Sequence, residues 1–169
     1  GIASYTSKFV EAVQGLPVKI LDTRKTVPGL RILDKYAVAI GGGYNHRFGL
    51  YDGVLIKDNH IKLAGGISSA TGAVRERTSG KVKIEVETST LDEVREALMA
   101  KADIIMLDNM SLENMKKALD LIDRGALVEA SGGITLKNVH QVAETGVDFI
   151  SIGALTHSPQ ALDIGLYMV

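Results

Sequence analysis

The chain has 169 residues, 46% of them hydrophobic, and a formal net charge of −1. This length suits one domain with a continuous core, and the composition excludes a disordered chain. A near-zero charge with 5% aromatic residues argues against nucleic-acid binding, and the absence of cysteine excludes thiolate chemistry and fits a reducing cytoplasm. No apolar run reaches the ~18 residues that span a bilayer, so no membrane partner is expected.

Helical and strand-like patterns alternate in the first half of the chain. The pattern begins inside a helix at Gly1 without a Met, which predicts a piece of a longer polypeptide. The predicted elements are helix 2–13, strand 18–22, helix 30–40, strand 53–57, and helices 59–64 and 68–77. Helix 30–40 is expected to carry Leu30, Leu33, Ala37 and Ile40 on one side and to stop at three glycines, residues 41–43.

The second half alternates regularly between strands and helices. Strands are predicted at 82–87, 104–107, 127–130 and 149–152, with helices at 91–100, 112–122 and 136–144. Thr90, Ser111 and Thr135 stand where helix N-caps are expected. Such alternation indicates an α/β fold with a parallel sheet, and the six strands are two fewer than a full (β/α) barrel contains.

A basic cluster occupies residues 19–62, which hold eight Lys or Arg and four Asp, a local balance of +4. Arg24, Lys25, His46, Arg47 and Lys57 could together neutralise a dicarboxylate, because Arg grips a carboxylate with two parallel hydrogen bonds. The alternative is a solvated charged loop. The concentration of cations among Gly and Thr favours a site for a small polyanion.

Polar residues stand at the carboxyl end of every predicted strand, where ligands bind in such folds. These residues are Arg24, Lys25, Lys57, Glu87, Asp108, Ser131 and Gly153.

Two glycine loops follow the last two strands. Ser131, Gly132 and Gly133 precede a predicted helix, and Gly153 lies in the next loop, near His157. Glycines let a phosphate approach the backbone, and a helix N-terminus attracts anions. These loops therefore predict phosphate binding, with an ordinary tight turn as the alternative.

Glu87 and Asp108 end neighbouring strands and could share a Mg²⁺ ion with substrate oxygens and water. The alternative is an ion pair with the basic cluster. Glu85, Lys83 and Glu129 lie deeper along their strands, and we interpret them as buried charge pairs inside the barrel rather than as catalysts.

Seven ordered motifs resemble the quinolinate phosphoribosyltransferase family: DTRKT, GGGYNHR, LIKDNH, EVET, IMLDNM, SGGI and IGALTHS. The resemblance runs from Gly1 to Val169. It implies an open, incomplete (β/α) barrel with about six parallel strands, spanning residues 1–169 as a C-terminal catalytic domain. It also implies an N-terminal α/β sandwich domain that these residues do not include, and a homodimer or larger homo-oligomer. In that assembly the neighbouring subunit supplies an arginine to the site.

The resemblance assigns roles position by position. Quinolinate would contact Arg24, Lys25, His46, Arg47 and Lys57, and Lys25 would also approach phosphoribosyl pyrophosphate. Catalysis would involve Lys25, Glu87 and Asp108, the last two holding Mg²⁺. The 5′-phosphate would bind Ser131, Gly132, Gly133, Gly153 and His157. The implied reaction transfers a phosphoribosyl group to quinolinate with loss of CO₂, in the cytoplasm, as a step of NAD synthesis.

Three alternatives remain at this point. They are a related transferase with another acceptor, a phosphate-binding barrel that is inactive alone, and a sugar-phosphate isomerase on a similar barrel. The last predicts one phosphate site and no use for the basic cluster.

Overall fold

The computed structural model describes residues 1–78 and 82–168, in which six strands alternate with eight helices. In chain order these are α1 Ile2–Ala12, β1 Lys19–Leu21, α2 Arg31–Ile40, β2 Val54–Ile56, α3 Asp58–Ala64, α4 Ile67–Thr78, β3 Ile84–Thr88, α5 Leu91–Met99, β4 Ile104–Asp108, α6 Leu112–Ile122, β5 Leu127–Ser131, α7 Val139–Ala143, β6 Phe149–Ser151 and α8 Ala154–His157. Within the described ranges, no helix has the length and apolar character needed to cross a membrane.

The six strands form one parallel sheet in the order β1-β6-β5-β4-β3-β2. The first two strands of the chain are therefore the two edges of the sheet, and the others follow each other around it. The segment between α2 and β2 adds a single parallel bridge, Leu21 with Tyr44. This topology confirms the predicted open, incomplete barrel.

The two faces of the sheet carry different side chains, because successive residues of a strand point to opposite faces. Ile56, Val86, Ile105, Val128 and Ile150 belong to the hydrophobic core that the helices cover. The alternate residues face the barrel interior, and many are charged or polar. This division places a helix-covered core outside the sheet and a polar site inside it.

The predicted helix starts are confirmed at α5 and α6 but not at α7. Thr90 Oγ1 accepts from the Glu93 amide at 3.2 Å, and Ser111 Oγ accepts from the Asn114 amide at 3.2 Å. Thr135 is not a cap, because α7 begins at Val139 with Asn138 before it. The Asn138 side chain accepts from both the amide and the hydroxyl of Thr135 and holds residues 135–138 in a turn.

The predicted apolar side of α2 is not the side that the domain buries. Leu33 and Ile40 are 61% and 63% exposed, and Leu30 is 46% exposed. The helix instead buries Asp34, Lys35 and Val38. The apolar side of α2 is left on the surface because Lys35 turns inward to the buried carboxylate of Asp22.

Candidate active site

All twelve residues predicted to bind ligands or a metal line one cleft of about 710 Å³. They come from six loops and strand ends at the carboxyl edge of the sheet: Arg24, Lys25, His46, Arg47, Lys57, Glu87, Asp108, Ser131, Gly132, Gly133, Gly153 and His157. The cations of the β1 and β2 ends, the carboxylates of β3 and β4, and the glycines of β5 and β6 therefore share one opening. Two anions could be held there side by side.

Arg24, Lys25, Arg47 and Lys57 form a cationic wall of the cleft. Its two arginines have different surroundings. Arg24 Nε is buried and has no hydrogen-bond partner among the described residues. Arg47 Nη1 donates to the Gly53 carbonyl at 3.0 Å. Burial and the neighbouring Arg24 lower the pKa of Arg47, although an arginine stays charged in any case. A bound anion would relieve this crowding of positive charge.

A buried ion pair fixes the loop that carries His46 and Arg47. Lys35 Nζ lies 2.5 Å from Asp22 Oδ1, and the two side chains are 3% and 0% exposed. Lys35 also donates to the His46 carbonyl at 3.0 Å, and the His46 amide donates to Asp22 at 2.8 Å. Burial raises the pKa of Asp22, while Lys35 and the His46 amide oppose that rise. No local sequence pattern predicts this pair, because nothing in the spacing links residue 22 to residue 35.

The two predicted metal ligands are already engaged. Lys57 Nζ lies 2.5 Å from Glu87 Oε2, which is the ion pair considered as the alternative, and Asn109 Nδ2 donates to Asp108 Oδ2 at 2.8 Å. Both carboxylates still end adjacent strands and face the cleft. These hard oxygen donors, which line the cleft with the glycine loops, suit Mg²⁺, which takes one or two carboxylates and completes its octahedron with water and substrate oxygens. The donor set fits the ion.

His46, Glu85 and Glu129 form a second cluster of titratable side chains, and His46 and Glu129 of this cluster line the cleft. His46 Nε2 is 3.0 Å from Glu85 Oε2 and 3.6 Å from Glu129 Oε2. The interpretation of Lys83 as a buried partner is wrong, because Lys83 is exposed. The charge partner of Glu85 and Glu129 is His46, which reaches them from a loop that sequence separation conceals.

The candidate ligand atoms of His46, Glu85 and Glu129 all lie within 4.8 Å of one another, a spacing that a metal ion could bridge. The imidazole argues against a metal here. The Arg47 amide donates to His46 Nδ1 at 2.8 Å, so the neutral ring carries its proton on Nε2. A nitrogen that carries a proton cannot ligate a cation, so His46 Nε2 is a hydrogen-bond donor to Glu85 rather than a metal ligand.

Burial and the neighbouring Glu85 raise the pKa of Glu129 to about 8. Burial lowers the pKa of His46, but the carboxylates of Glu85 and Glu129 outweigh it and the net shift is upward. Two carboxyl groups this close and this buried resist ionising together, so Glu129 keeps its proton at neutral pH.

We expect the free energy of unfolding to fall as the pH rises from about 5 to 8. The ordinary pKa of Glu129 is 4.5 and its folded pKa is about 8, so the native state holds more protons across this window. The stabilising effect of this bound proton is complete below the ordinary pKa and is lost as the pH rises through the folded pKa. Between the two, the free energy of unfolding falls by at most about 1.4 kcal/mol per pH unit. Urea unfolding at several pH values measures it. Glu129→Gln should flatten the profile, and an unchanged slope in that variant would contradict the assignment.

The glycine loops approach the cleft through their backbone. Gly132 and Gly133 have φ of +89° and +62°, which favours glycine. The expectation that a helix end supports the first loop is wrong, because α7 starts only at Val139 and has five residues. Gly153 directly precedes α8, and a Cβ there would lie 3.1 Å from His157 Nε2 and 3.2 Å from Lys25 Cδ. Loop amides rather than long helices would therefore receive a phosphate.

We expect Gly132→Ala to weaken binding of a sugar phosphate at least about tenfold, because the new methyl group would collide with the Asn109 side chain, which orients Asp108. Gly146→Ala is the matched control. Gly146 has a similar φ of +99° but open space around it. Each variant should lose about 1–2 kcal/mol of stability from backbone strain. Calorimetric titration should show weakened binding in the first variant only; equal affinities would contradict the role of this loop.

The sequence is similar to those of known proteins along almost its whole length. Residues 2–167 match the family model described as the C-terminal domain of quinolinate phosphoribosyl transferase. A probable nicotinate-nucleotide pyrophosphorylase (carboxylating) of Bacillus subtilis is 49% identical over 166 residues, which cover 98% of this chain and 57% of that protein. The chloroplastic nicotinate-nucleotide pyrophosphorylase (carboxylating) of Arabidopsis thaliana is 50% identical over 184 residues, covering 98% of this chain and 52% of its own length.

Solved structures agree with the sequence relatives. The nicotinate-nucleotide pyrophosphorylase of Ehrlichia chaffeensis superposes with a TM-score of 0.94 at 49% identity, covering 98% of this chain and 60% of that one. The Francisella tularensis protein gives 0.93 at 47% identity, covering 96% and 58%. The chain thus spans somewhat more than half the length of these relatives. It belongs to the quinolinate phosphoribosyltransferase family.

Proposed function

We propose that this chain is the barrel domain of an enzyme that transfers a phosphoribosyl group from phosphoribosyl pyrophosphate to quinolinate, giving nicotinate mononucleotide, CO₂ and pyrophosphate. The observation that carries this proposal is the shared cleft, where a cationic wall faces two glycine loops. A dicarboxylate and a sugar phosphate are the anions that suit these two halves. The reaction would form part of NAD synthesis in the cytoplasm, and the lack of cysteine fits a reducing compartment.

The cationic wall would hold and aim the acceptor. Arg24, Arg47 and Lys57 would neutralise the two carboxylates of quinolinate, so that its ring nitrogen faces the anomeric carbon of the sugar. The carbon–oxygen bond to pyrophosphate breaks as the nitrogen attacks, and the ring becomes cationic. The carboxylate next to that nitrogen then leaves as CO₂, its electron pair stays on the ring carbon, and this carbon takes up a proton. Cations fixed in place lower these barriers by orientation and electrostatics.

The other side of the cleft would bind the donor. Loop amides at Gly132, Gly133 and Gly153, with Ser131 and His157, would receive the 5′-phosphate. The Lys25 carbonyl accepts from the Thr156 hydroxyl at 2.7 Å, which ties the cationic loop to the last glycine loop. Glu87 and Asp108 would hold Mg²⁺, and the bound ion would neutralise negative charge that collects on the leaving pyrophosphate.

We further propose that the site is completed by a homodimer or larger homo-oligomer of the full-length enzyme, in which a neighbouring subunit's N-terminal domain adds an arginine. The apolar face of α2 supports such an assembly. Ile32, Leu33, Tyr36 and Ile40 are each more than 60% exposed on that helix. A contiguous apolar surface of this kind marks a site of protein association.

An assay of CO₂ release tests the proposed reaction. The 169-residue chain should be compared with the same chain fused to the N-terminal segment of the Bacillus subtilis relative, with phosphoribosyl pyrophosphate and Mg²⁺ present. We expect CO₂ and nicotinate mononucleotide from quinolinate in the fusion, and little or none from the chain alone. Removal of Mg²⁺ by a chelator should stop turnover, and its return should restore it.

Nicotinate supplied in place of quinolinate is the control for acceptor identity. It carries one carboxylate and leaves half of the cationic wall unmatched, so we expect no product from it. Product from nicotinate but not from quinolinate would show that the chain serves a transferase with a different acceptor.

A further inference from the structure

A buried cluster of His46, Glu85 and Glu129 beside the cleft joins three elements of the fold through the His46 imidazole. Glu85 comes from β3, Glu129 from β5, and His46 from the loop before β2. The side chains of His46, Glu85 and Glu129 are 12%, 6% and 1% exposed. His46 and Glu129 line the cleft with Arg24 and Arg47, and Glu85 lines a neighbouring cavity with His46 and Glu129.

Both nitrogens of the His46 ring are engaged, in opposite senses. Nδ1 accepts from the Arg47 amide at 2.8 Å, and Nε2 lies 3.0 Å from Glu85 Oε2, which is an acceptor. Glu129 Oε2 lies farther away, at 3.6 Å. Reversal of the ring or of its tautomer would therefore break a hydrogen bond at each end, because a protonated Nδ1 cannot accept and an unprotonated Nε2 cannot donate.

The ring thereby connects the carboxyl pair to the backbone of Arg47. The main chain of His46 is held separately, by Asp22 and Lys35. The Arg47 amide has His46 Nδ1 as its partner, so the direction in which the Arg47 residue leaves the loop depends on the ring. The remaining oxygens of the pair, Glu85 Oε1 and Glu129 Oε1, are buried without hydrogen-bond partners in the described part of the chain. Such buried polar atoms are rare in native structures, so this pair requires an explanation beyond packing.

We propose, building on the proposed function, that Glu85 and Glu129 are positioning residues for the acceptor. They hold the His46 imidazole in its Nε2–H form, and the ring in turn holds the Arg47 backbone so that the guanidinium faces the quinolinate carboxylates. His46 then contributes to quinolinate binding chiefly by orienting Arg47.

Two substitutions at Glu85 separate positioning from packing. Glu85→Gln keeps an oxygen acceptor for His46 Nε2–H, whereas Glu85→Leu removes it at similar volume. In the full-length enzyme, we expect Glu85→Leu to raise KM for quinolinate about tenfold, the equivalent of one lost buried hydrogen bond, with little change in kcat or in KM for phosphoribosyl pyrophosphate. Glu85→Gln should stay near the wild-type values. Glu113→Gln, an exposed carboxylate on α6, is the neutral control.

Nitrogen-15 NMR of the histidine rings supplies a readout that requires no substrate. In a pH titration of the wild-type chain, the neutral His46 ring should show a protonated Nε2 and an unprotonated Nδ1, and Glu85→Gln should preserve this pattern. A neutral ring with its proton on Nδ1, or a ring that stays doubly protonated across the titration, would overturn the proposal, even if Glu85→Leu failed to fold. Equal KM values for the Leu and Gln variants would also overturn it. If the enzyme turned over no quinolinate, the proposed function would fail, while the ring pattern would still test the positioning.

Discussion

Replacing Lys35 with Met is expected to cost about 3–5 kcal/mol of folding free energy, because it leaves the buried carboxylate of Asp22 without its counter-charge. Asp22 and Lys35 are both almost completely buried, and Asp22 also accepts from the His46 amide. Such a loss is a large part of the roughly 5–15 kcal/mol that stabilises a domain. Urea unfolding and thermal melting measure it.

An exposed ion pair provides the matched control for Lys35→Met. Lys62 lies 3.5 Å from Asp58, and their side chains are 75% and 62% exposed. Lys62→Met should therefore change stability by no more than about 0.5 kcal/mol. Adding Asp22→Asn to Lys35→Met should recover part of the loss by removing the unpaired charge. Equal effects of Lys35→Met and Lys62→Met would show that the buried pair does not hold this loop.

Arg47→Ala is expected to weaken quinolinate binding by about 30- to 150-fold, the effect of losing roughly 2–3 kcal/mol of charge-assisted hydrogen bonds to a carboxylate. Arg47 lines the cleft, and its Nη1 donates to the Gly53 carbonyl, which restrains the guanidinium. Binding of phosphoribosyl pyrophosphate should change little, because the glycine loops lie on the other side. Calorimetric titration of each ligand measures both effects.

Two further variants distinguish charge from geometry at this position. Arg47→Lys keeps the charge but loses the planar fork, so it should recover only part of the affinity. Arg95→Ala removes an arginine that pairs with Asp92 on the exposed side of α5 and should have no effect on either ligand. Unchanged quinolinate binding in Arg47→Ala would favour a barrel with a single phosphate site, as in a sugar-phosphate isomerase.

The parallel sheet and the cleft could be predicted from the sequence because both depend on local patterns. Short apolar runs separated by helical periods indicate a parallel sheet, and the residue after each run must lie at its carboxyl edge. Lys57, Glu87, Asp108 and Ser131 were identified in this way, and the structure brings them into one cleft. Their individual roles with ligands remain predictions.

The features that the sequence did not reveal depend on contacts between distant residues. The buried face of α2 follows from Lys35 reaching Asp22 rather than from helical periodicity, which favoured Leu33 and Ile40. His46 meets Glu85 and Glu129 across 39 and 83 positions of sequence, so no local spacing indicates that contact. The apolar residues of α2 satisfy the pattern of a core helix, yet the structure leaves them on the surface, where an assembly could cover them.

A crystal structure of the full-length enzyme with quinolinate and an unreactive analogue of phosphoribosyl pyrophosphate would test the shared cleft most directly. We expect the quinolinate carboxylates against Arg24, Arg47 and Lys57, and the 5′-phosphate against the amides of Gly132 and Gly153, with the ring nitrogen facing the anomeric carbon. Density for either ligand outside this opening, or for one anion that excludes the other, would contradict the account.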